Sequence, residues 1–460
     1  MKNFQGRLIL ILFTLSLLIT FNACEKSAVQ QDPTKPEVSV QHPDWSKNVS
    51  MYEVSVRQYT PEGTFEAFAE HLPRLKEMGF GILWFMPIHP IGELNRKGSL
   101  GSYYAVQDYK AINPNFGTEE EFRALVKEAH ELGMYVIIDW VANHTAWDNV
   151  WTESNPEFYT RDSLGNFQPP VADWSDVIEL DFENKELWRE MADAMVYWVE
   201  KFDIDGYRCD VAGEVPIDFW NYAREELDKI KPVFMLAEAE QKELHYNAFD
   251  ATYAWEAHHI MNEIAADKMT VAEWDEYWQK ETTDYPQNAY RLMFTSNHDE
   301  NSWNGTVFER MGDGAKTFAV MSFTVPGMPL IYNGQEVGMD KRLEFFEKDL
   351  IDWKESEFRE FYDKLIELKL ENKSLWNGAF GAPLQRVNTN LDTKIYSFVR
   401  EKEGDKVFVI LNLSEENLSL EFNDENISGE YTELFTGEET NVESDLTLDM
   451  PAWGYKVYYK

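Results

Sequence analysis

Cysteine is almost missing. Cys24 and Cys209 are the only two in 460 residues, so no disulfide framework organises the chain. Basic residues are scarce as well: 42 Lys and Arg face 82 Asp and Glu, a net charge of −40. Such a surface repels phosphate backbones and anionic headgroups, which excludes nucleic acid as a partner. Long apolar runs are lacking except for residues 8–21, too short to span a bilayer comfortably. No internal repeat or low-complexity tract is found. Aromatic side chains, by contrast, are plentiful, at 15% of the chain with 16 Trp. Sugar rings stack on such faces, although large barrels bury many aromatics too. The length suffices for two or three domains, or for one barrel with additions.

The amino terminus reads as a processing signal. Lys2 and Arg7 precede the apolar run, which ends at Ala23-Cys24. Apolar run, small residue and Cys resemble a bacterial lipobox, from which Phe21 and Asn22 depart. Residues 1–24 are therefore expected to be a lipoprotein signal peptide, with lipid on Cys24. Residues 25–44, with Pro33 and Pro36 and no periodicity, would be a tether. The expected location is the bacterial envelope, exported and membrane-anchored, and Cys209 would then lack a disulfide partner.

Beyond the tether, short apolar runs alternate with amphipathic helices. Residues 51–59 read as a first strand and 81–86 as a buried second one, with a helix between them that Pro73 either kinks or starts late. Thr118 with Glu121 forms a capping box, Phe122, Leu125, Val126, Ala129 and Leu132 mark one helical face, and Gly133 ends the helix. A third strand follows at 135–139. Further strands are expected at 207–211, 233–237, 249–253, 292–296 and 330–332. About eight strands separated by helices predict a (β/α)8 barrel, and the separations of Asp210, Glu238 and Asp299 match one and then two βα units of roughly 30 residues. The longer interval from Asp139 to Asp210 implies an insertion after the third strand, at 145–178. The expected domains are thus a barrel at 45–144 and 179–382, the insertion, and a terminal β-sandwich at 383–460.

In such barrels the chemistry sits at the carboxyl ends of the strands. Four ends here carry dense polar clusters: Asp139 to His144, Arg208 to Asp210, Glu238, and Asn297 to Asp299. Residues two apart in a strand share a face, so Arg208 should lie beside Asp210, lower its pKa and hold it ionised. Glu238 follows the apolar run 233–237, where desolvation would raise its pKa, as a general acid requires. Singly, each has a structural reading too: an ion pair for Arg208 and Asp210, a salt bridge for Glu238, a helix cap for Asp299. Together, three carboxylates at one mouth suit hydrolysis of a glycosidic bond.

The four clusters, in this order and at these intervals, resemble the four signature regions of the α-amylase family, glycoside hydrolase family 13. Gly101-Ser102-Tyr103-Tyr104, Phe116-Gly117-Thr118, Gly327-Met328-Pro329 and Gly334-Gln335-Glu336 match further segments. The similarity runs from residue 45 to the end, with the insertion like that family's domain B and the terminal region like its domain C. It implies Asp210 as nucleophile, Glu238 as acid and base, and Asp299 as stabiliser of the distorted sugar, with retention of configuration. It further implies that Arg208 orients Asp210, that His144 and His298 bind sugar hydroxyls, that Tyr104 stacks on the sugar, and that Asp139 supports the site. Many members bind a structural Ca2+ near the equivalent of Asn143, while members without the ion keep this Asn. No ligand in the variable insertion can be assigned, and no organic cofactor is implied.

Two departures stand out. Ser102-Tyr103-Tyr104 replaces the commoner His-Gly-Tyr, and Ala239-Glu240 follows Glu238 where many members carry an aromatic residue. The expected activity is hydrolysis of α-1,4 bonds in starch or maltooligosaccharides. Residues 210–220 resemble cyclomaltodextrin- and neopullulan-degrading members, which makes small or cyclic maltodextrins, or transglycosylation, the alternative; Val211 also occurs in α-1,6-acting relatives. A glucan-binding lipoprotein without catalysis is the reading from a different class, and retention of all three carboxylates argues against it.

Overall fold

The computed structural model describes residues 39–460. Cys24, the signal segment and most of the tether lie outside the described residues. Eight parallel strands close into a barrel: β1 (Met51–Val54), β2 (Ile82–Phe85), β3 (Tyr135–Val141), β4 (Gly206–Asp210), β5 (Phe234–Ala237), β6 (Ala251–Tyr253), β7 (Tyr290–Met293) and β8 (Met328–Tyr332). Each pairs with its neighbour in sequence, and β1 closes on β8 through Met51 opposite Leu330.

Period-two alternation sorts the side chains of every strand. Met51, Ile82, Trp84, Ile137, Phe234, Leu236, Tyr253, Leu292 and Leu330 fill the barrel interior. Tyr52, Leu83, Phe85, Val136, Ile138, Tyr207 and Met235 point outward under the helices. With both faces buried, the strands read as continuous apolar runs, which is why the periodicity that marks a half-exposed strand is missing from them.

Several element boundaries differ from the sequence expectation. The first strand ends at Val54, and Val56–Tyr59 forms a helical turn, since Ser55 N–H is taken by the Asn333 side chain at 2.6 Å and leaves the ladder. Pro73 starts a helix rather than kinking one: Phe65–Ala69 and Leu72–Met78 are separate helices, with the proline in the first turn of the second. The Thr118–Glu121 capping box is present at the start of Glu119–Glu131.

A strap formed by residues 39–47 crosses the amino ends of the strands. His42 bonds Asp250 and the Asn288 carbonyl, each at 2.8 Å, and Trp45 stacks on Tyr135 at 3.9 Å. After β3 the chain leaves the barrel, and His144–Ala146 pairs antiparallel with Val177–Glu179 to tie the base of the insertion. At the carboxyl end, a six-stranded antiparallel sheet and a two-stranded sheet bury Ile395, Val399, Phe408, Ile410, Leu420, Phe422 and Met450.

Candidate active site

The top layer of the barrel interior is polar, in contrast to the apolar layers beneath it. Glu53, Trp84, Asp139, Arg208 and Tyr253 continue the inward-facing rows of β1, β2, β3, β4 and β6. Arg208, fully buried, is the hub. Its Nη1 donates to Asp139 at 2.9 Å and to Asp210 Oδ1 at 3.0 Å, and its Nε donates to Tyr253 Oη at 3.2 Å. Its Nη2 approaches Glu238 Oε2 at 2.9 Å, but at an angle outside hydrogen-bonding geometry. Glu238 Oε2 instead accepts the Val211 N–H at 2.7 Å. Val211 holds φ at 36°, a left-handed conformation unusual for a β-branched residue, and this aims its N–H across to β5.

A second network shares Asp139. Its Oδ2 accepts from Trp84 Nε1 and from Tyr104 Oη, both at 3.1 Å. Tyr104 Oη also meets His298 Nε2 at 2.7 Å, and His298 Nδ1 donates to Glu53 at 2.5 Å. Asp299 Oδ2 lies 3.3 Å from the same imidazole. The structure therefore brings Asp139, Tyr104, Arg208, Asp210, Glu238, His298 and Asp299 into one connected cluster. His144 lies on the same cavity wall, with Trp174 of the insertion 5.4 Å from its ring. The cavity, of about 380 Å³, is lined by Tyr104, His144, Asp210, Glu238, His298 and Asp299.

Arg208 pulls the Asp210 pKa down as expected, but the net shift is upward. Burial pushes Asp210 up to about 7, with Asp139 and Asp299 adding repulsion, and the opposing pull of Arg208 is not enough. One guanidinium is divided among three carboxylates, so each receives part of its compensation. Asp139 rises to about 6 for the same first cause. Glu238 rises to about 7 through burial, the direction the sequence led one to expect. The two histidines part company. Burial alone takes His144 down to about 3 and keeps it neutral, whereas in His298 the charges of Asp299 and Glu53 outweigh burial and push it up to about 9. Asp299 keeps 35% of its side chain exposed, against 11% for Asp210 and 13% for Glu238, and so forms the solvent side of the cluster.

Sequence reasoning passed over Glu53. A lone acidic residue among apolar neighbours on β1 was the available signal, and alternation puts it on the inward face with Met51. Trp84, Tyr253, Lys97, Trp174, Trp303 and Phe345 were missed as well. Lys97 donates to the Asp173 carbonyl at 2.7 Å and pairs with Asp176 at 2.9 Å, joining the loop after β2 to the insertion at the cavity wall. Glu240 turns aside from the cavity, accepting from Arg291 Nη2 and from the Glu256 N–H, both at 3.1 Å. Calcium asks for six to eight oxygen ligands. Asn143 sets its side-chain amide nitrogen 3.3 Å from the His144 ring and its backbone carbonyl on the Leu180 N–H, and Asp176 is engaged with Lys97. Among the described residues, no group of three or more His, Cys, Asp and Glu side chains is placed to hold a metal. Among the described residues, then, no cluster of acidic side chains surrounds Asn143.

The family model of the alpha amylase catalytic domain matches residues 47–174 and 171–374, which contain every member of this cluster. The chain belongs to the α-amylase family. It is a glycoside hydrolase, and residues 386–457 match the C-terminal domain of maltogenic amylase. Among characterised relatives, "Alpha-amylase 3" of Dictyoglomus thermophilum is 25% identical over 83% of this chain and 88% of its own length. The maltogenic alpha-amylase of Bacillus acidopullulyticus is 26% identical over 91% and 78%. The solved structure of a noncanonic maltogenic alpha-amylase from Thermotoga neapolitana superposes with a TM-score of 0.82 at 32% identity, covering 90% of this chain and 98% of that one. The polar top layer of the barrel is the floor of the cavity.

Proposed function

We propose that the protein hydrolyses α-1,4-glucosidic bonds of maltooligosaccharides and starch with retention of configuration, through a covalent glycosyl-enzyme. The observation that carries this reading is the convergence of Asp210, Glu238 and Asp299 on one cavity, with the first two against the two terminal nitrogens of the same guanidinium. That closeness suits a double displacement, in which the second carboxylate attacks carbon directly, better than the wider spacing that admits a water.

Protonation follows from the hydrogen bonds. With both pKa values near 7, Asp210 and Glu238 share about one proton at neutral pH. Arg208 makes its directed bond to Asp210 and only an off-angle approach to Glu238, so Asp210 holds the charge and Glu238 the proton. Asp210 Oδ1 is occupied by Arg208, which leaves Oδ2 to attack the anomeric carbon as the bond to the leaving oxygen breaks. Glu238 Oε2 is occupied by Val211, which leaves Oε1 to protonate that oxygen. Water then attacks the glycosyl ester, gives its proton back to Glu238 and frees Asp210. Asp299, His144 and cationic His298 would bind the hydroxyls of the sugar being cleaved, and Tyr104 would pack on its face.

Within this reading we favour short or cyclic maltodextrins over polymer, which the likeness to the two maltogenic amylases and to a cyclomaltodextrinase of Thermoanaerobacter pseudethanolicus, 25% identical over 76% of this chain and 64% of its own length, supports. Product analysis on starch, maltoheptaose, β-cyclodextrin and pullulan, beside Asp210→Asn and Glu238→Gln, tests both levels. Fast opening of β-cyclodextrin with slow starch attack is the expected pattern, with at least ~10²-fold loss in each variant. Undiminished turnover in the variants would remove the assignment of the carboxylates. We further propose lipid anchoring at Cys24, supported by Lys2, Arg7 and the apolar run before Ala23. Radioactive palmitate should label the wild type and spare Cys24→Ala.

A further inference from the structure

Trp303 is exposed by 51%, although it is among the largest apolar side chains in the molecule and lines the cleft. A single exposed hydrophobic is ordinary on a protein surface, but Trp303 stands beside Phe345 and Phe346 on the wall of the cavity, and a contiguous apolar patch in a cleft marks a ligand surface. Its surroundings show that the position is built. Immediately after Asp299, residues Glu300–Asn304 form a single π-helical turn, a rare form that recurs at functional sites. The turn is bolted on two sides. Glu300 meets His258 at 3.1 Å and accepts from Asn304 at 2.9 Å, while Asn301 donates to the Lys341 carbonyl at 3.0 Å and accepts from the Leu343 N–H at 2.8 Å. Ser302 donates to the Leu343 carbonyl at 2.9 Å. One rigid unit therefore carries both Trp303 and the loop bearing Phe345 and Phe346.

The rings form an unbroken chain of contacts, with Trp303 tilted 44° from Phe345 and 59° from Phe346. Tyr104 lies 5.4 Å from His298 and 6.1 Å from Phe345 with nearly parallel planes, 11° apart in the second case. Phe345 then lies 5.2 Å from Trp303, and Phe346 5.8 Å from it. The ladder starts at the residues that would hold the sugar being cleaved and runs outward over the ends of β7 and β8, two and three strands round the barrel from β5, which Glu238 follows. Among the described residues the indole N–H of Trp303 makes no hydrogen bond, so it is free to donate to a hydroxyl.

From this placement we infer that Trp303, backed by Phe345 and Phe346, is a stacking platform for the glucosyl ring that precedes the scissile unit, on the side away from the leaving group. The inference rests on the glucan-hydrolase reading above. The platform sets a preference for donor chains of two or more glucose units, because binding at a non-reacting ring lowers the barrier only when that ring is present.

The test compares the full-length wild type, Trp303→Ala and Trp303→Phe on 4-nitrophenyl α-maltotrioside and 4-nitrophenyl α-glucoside. The expected result is a fall of about tenfold, ~1.4 kcal/mol, in the ratio of kcat/KM for the longer over the shorter substrate in Trp303→Ala. Trp303→Phe should recover most of that ratio. An active wild type with an unchanged ratio in Trp303→Ala would overturn the platform and leave the hydrolase reading standing. A wild type inactive on both compounds and on maltoheptaose would overturn the hydrolase reading and the platform with it.

Discussion

At the scale of single residues, burial raises the pKa values of Asp210 and Glu238, and this has a thermodynamic consequence. Asp210 and Glu238 have folded pKa values raised to about 7, so the folded state binds more protons than the unfolded chain between pH 4 and 7. Their contribution is intact below the unfolded carboxylate range and is lost as pH rises through the folded values. Asp210→Asn and Glu238→Gln should therefore melt higher than the wild type at pH 8, by roughly 1–2 kcal/mol of stability, and equally with it near pH 4. Equal melting at both values, followed by circular dichroism, would show that burial does not burden these groups. Glu53 acts through His298. Glu53→Gln removes a charge 2.5 Å from Nδ1, and the His298 pKa should fall from about 9 toward its ordinary 6.5, read by 15N NMR of the imidazole. Turnover should then lose its cationic donor at lower pH, drawing the alkaline limb of the rate profile downward.

At the scale of elements, the turn after β4 is the most constrained piece of backbone near the chemistry. Val211 sits at φ 36°, where L side chains are strained, and its N–H reaches Glu238 at 2.7 Å. In an ordinary turn Val→Gly destabilises; here release of the strain opposes that loss. Val211→Gly is expected to melt at or slightly above the wild-type temperature while slowing turnover, because the donor to Glu238 loses its direction. A drop of several degrees would mean that the turn stores no strain. The elements themselves were mostly readable from periodicity and caps. The Thr118–Glu121 box starts its helix as expected, and the face marked by Phe122, Leu125, Val126 and Ala129 is buried. Where the reading went astray, a tertiary contact decided. The first strand was expected to continue past Val54, and the side chain of Asn333, from the loop after β8, captures the Ser55 N–H that would have extended it.

For the molecule as a whole, the barrel is tied across its amino ends by the strap at His42 and Trp45, and the candidate active site lies at the opposite ends of the strands. The wall between insertion and barrel is closed by Lys97 with Asp176. Because no cluster of acidic side chains surrounds Asn143 among the described residues, dialysis against EDTA is expected to leave both the melting temperature and the rate of maltoheptaose cleavage unchanged. A fall of several degrees that added calcium reverses would establish a metal site formed by groups other than these.

Sequence by itself determined the barrel, because buried apolar runs alternating with capped helices have few other ways to hide both faces, and it placed the polar clusters at the strand ends. It also determined that Arg208 and Asp210 share a face, since strand geometry is local. Only the tertiary structure decided the sign of the Asp210 shift. Whether a neighbouring guanidinium or the loss of water dominates depends on how many buried carboxylates divide that one cation, and those come from three different strands. The same holds for Glu53, which meets His298 across 245 positions of chain, and for Trp303, whose platform exists only because the turn after β7 is bolted to the loop after β8. Periodicity reports which way a side chain points; what it meets there is set by closure of the barrel.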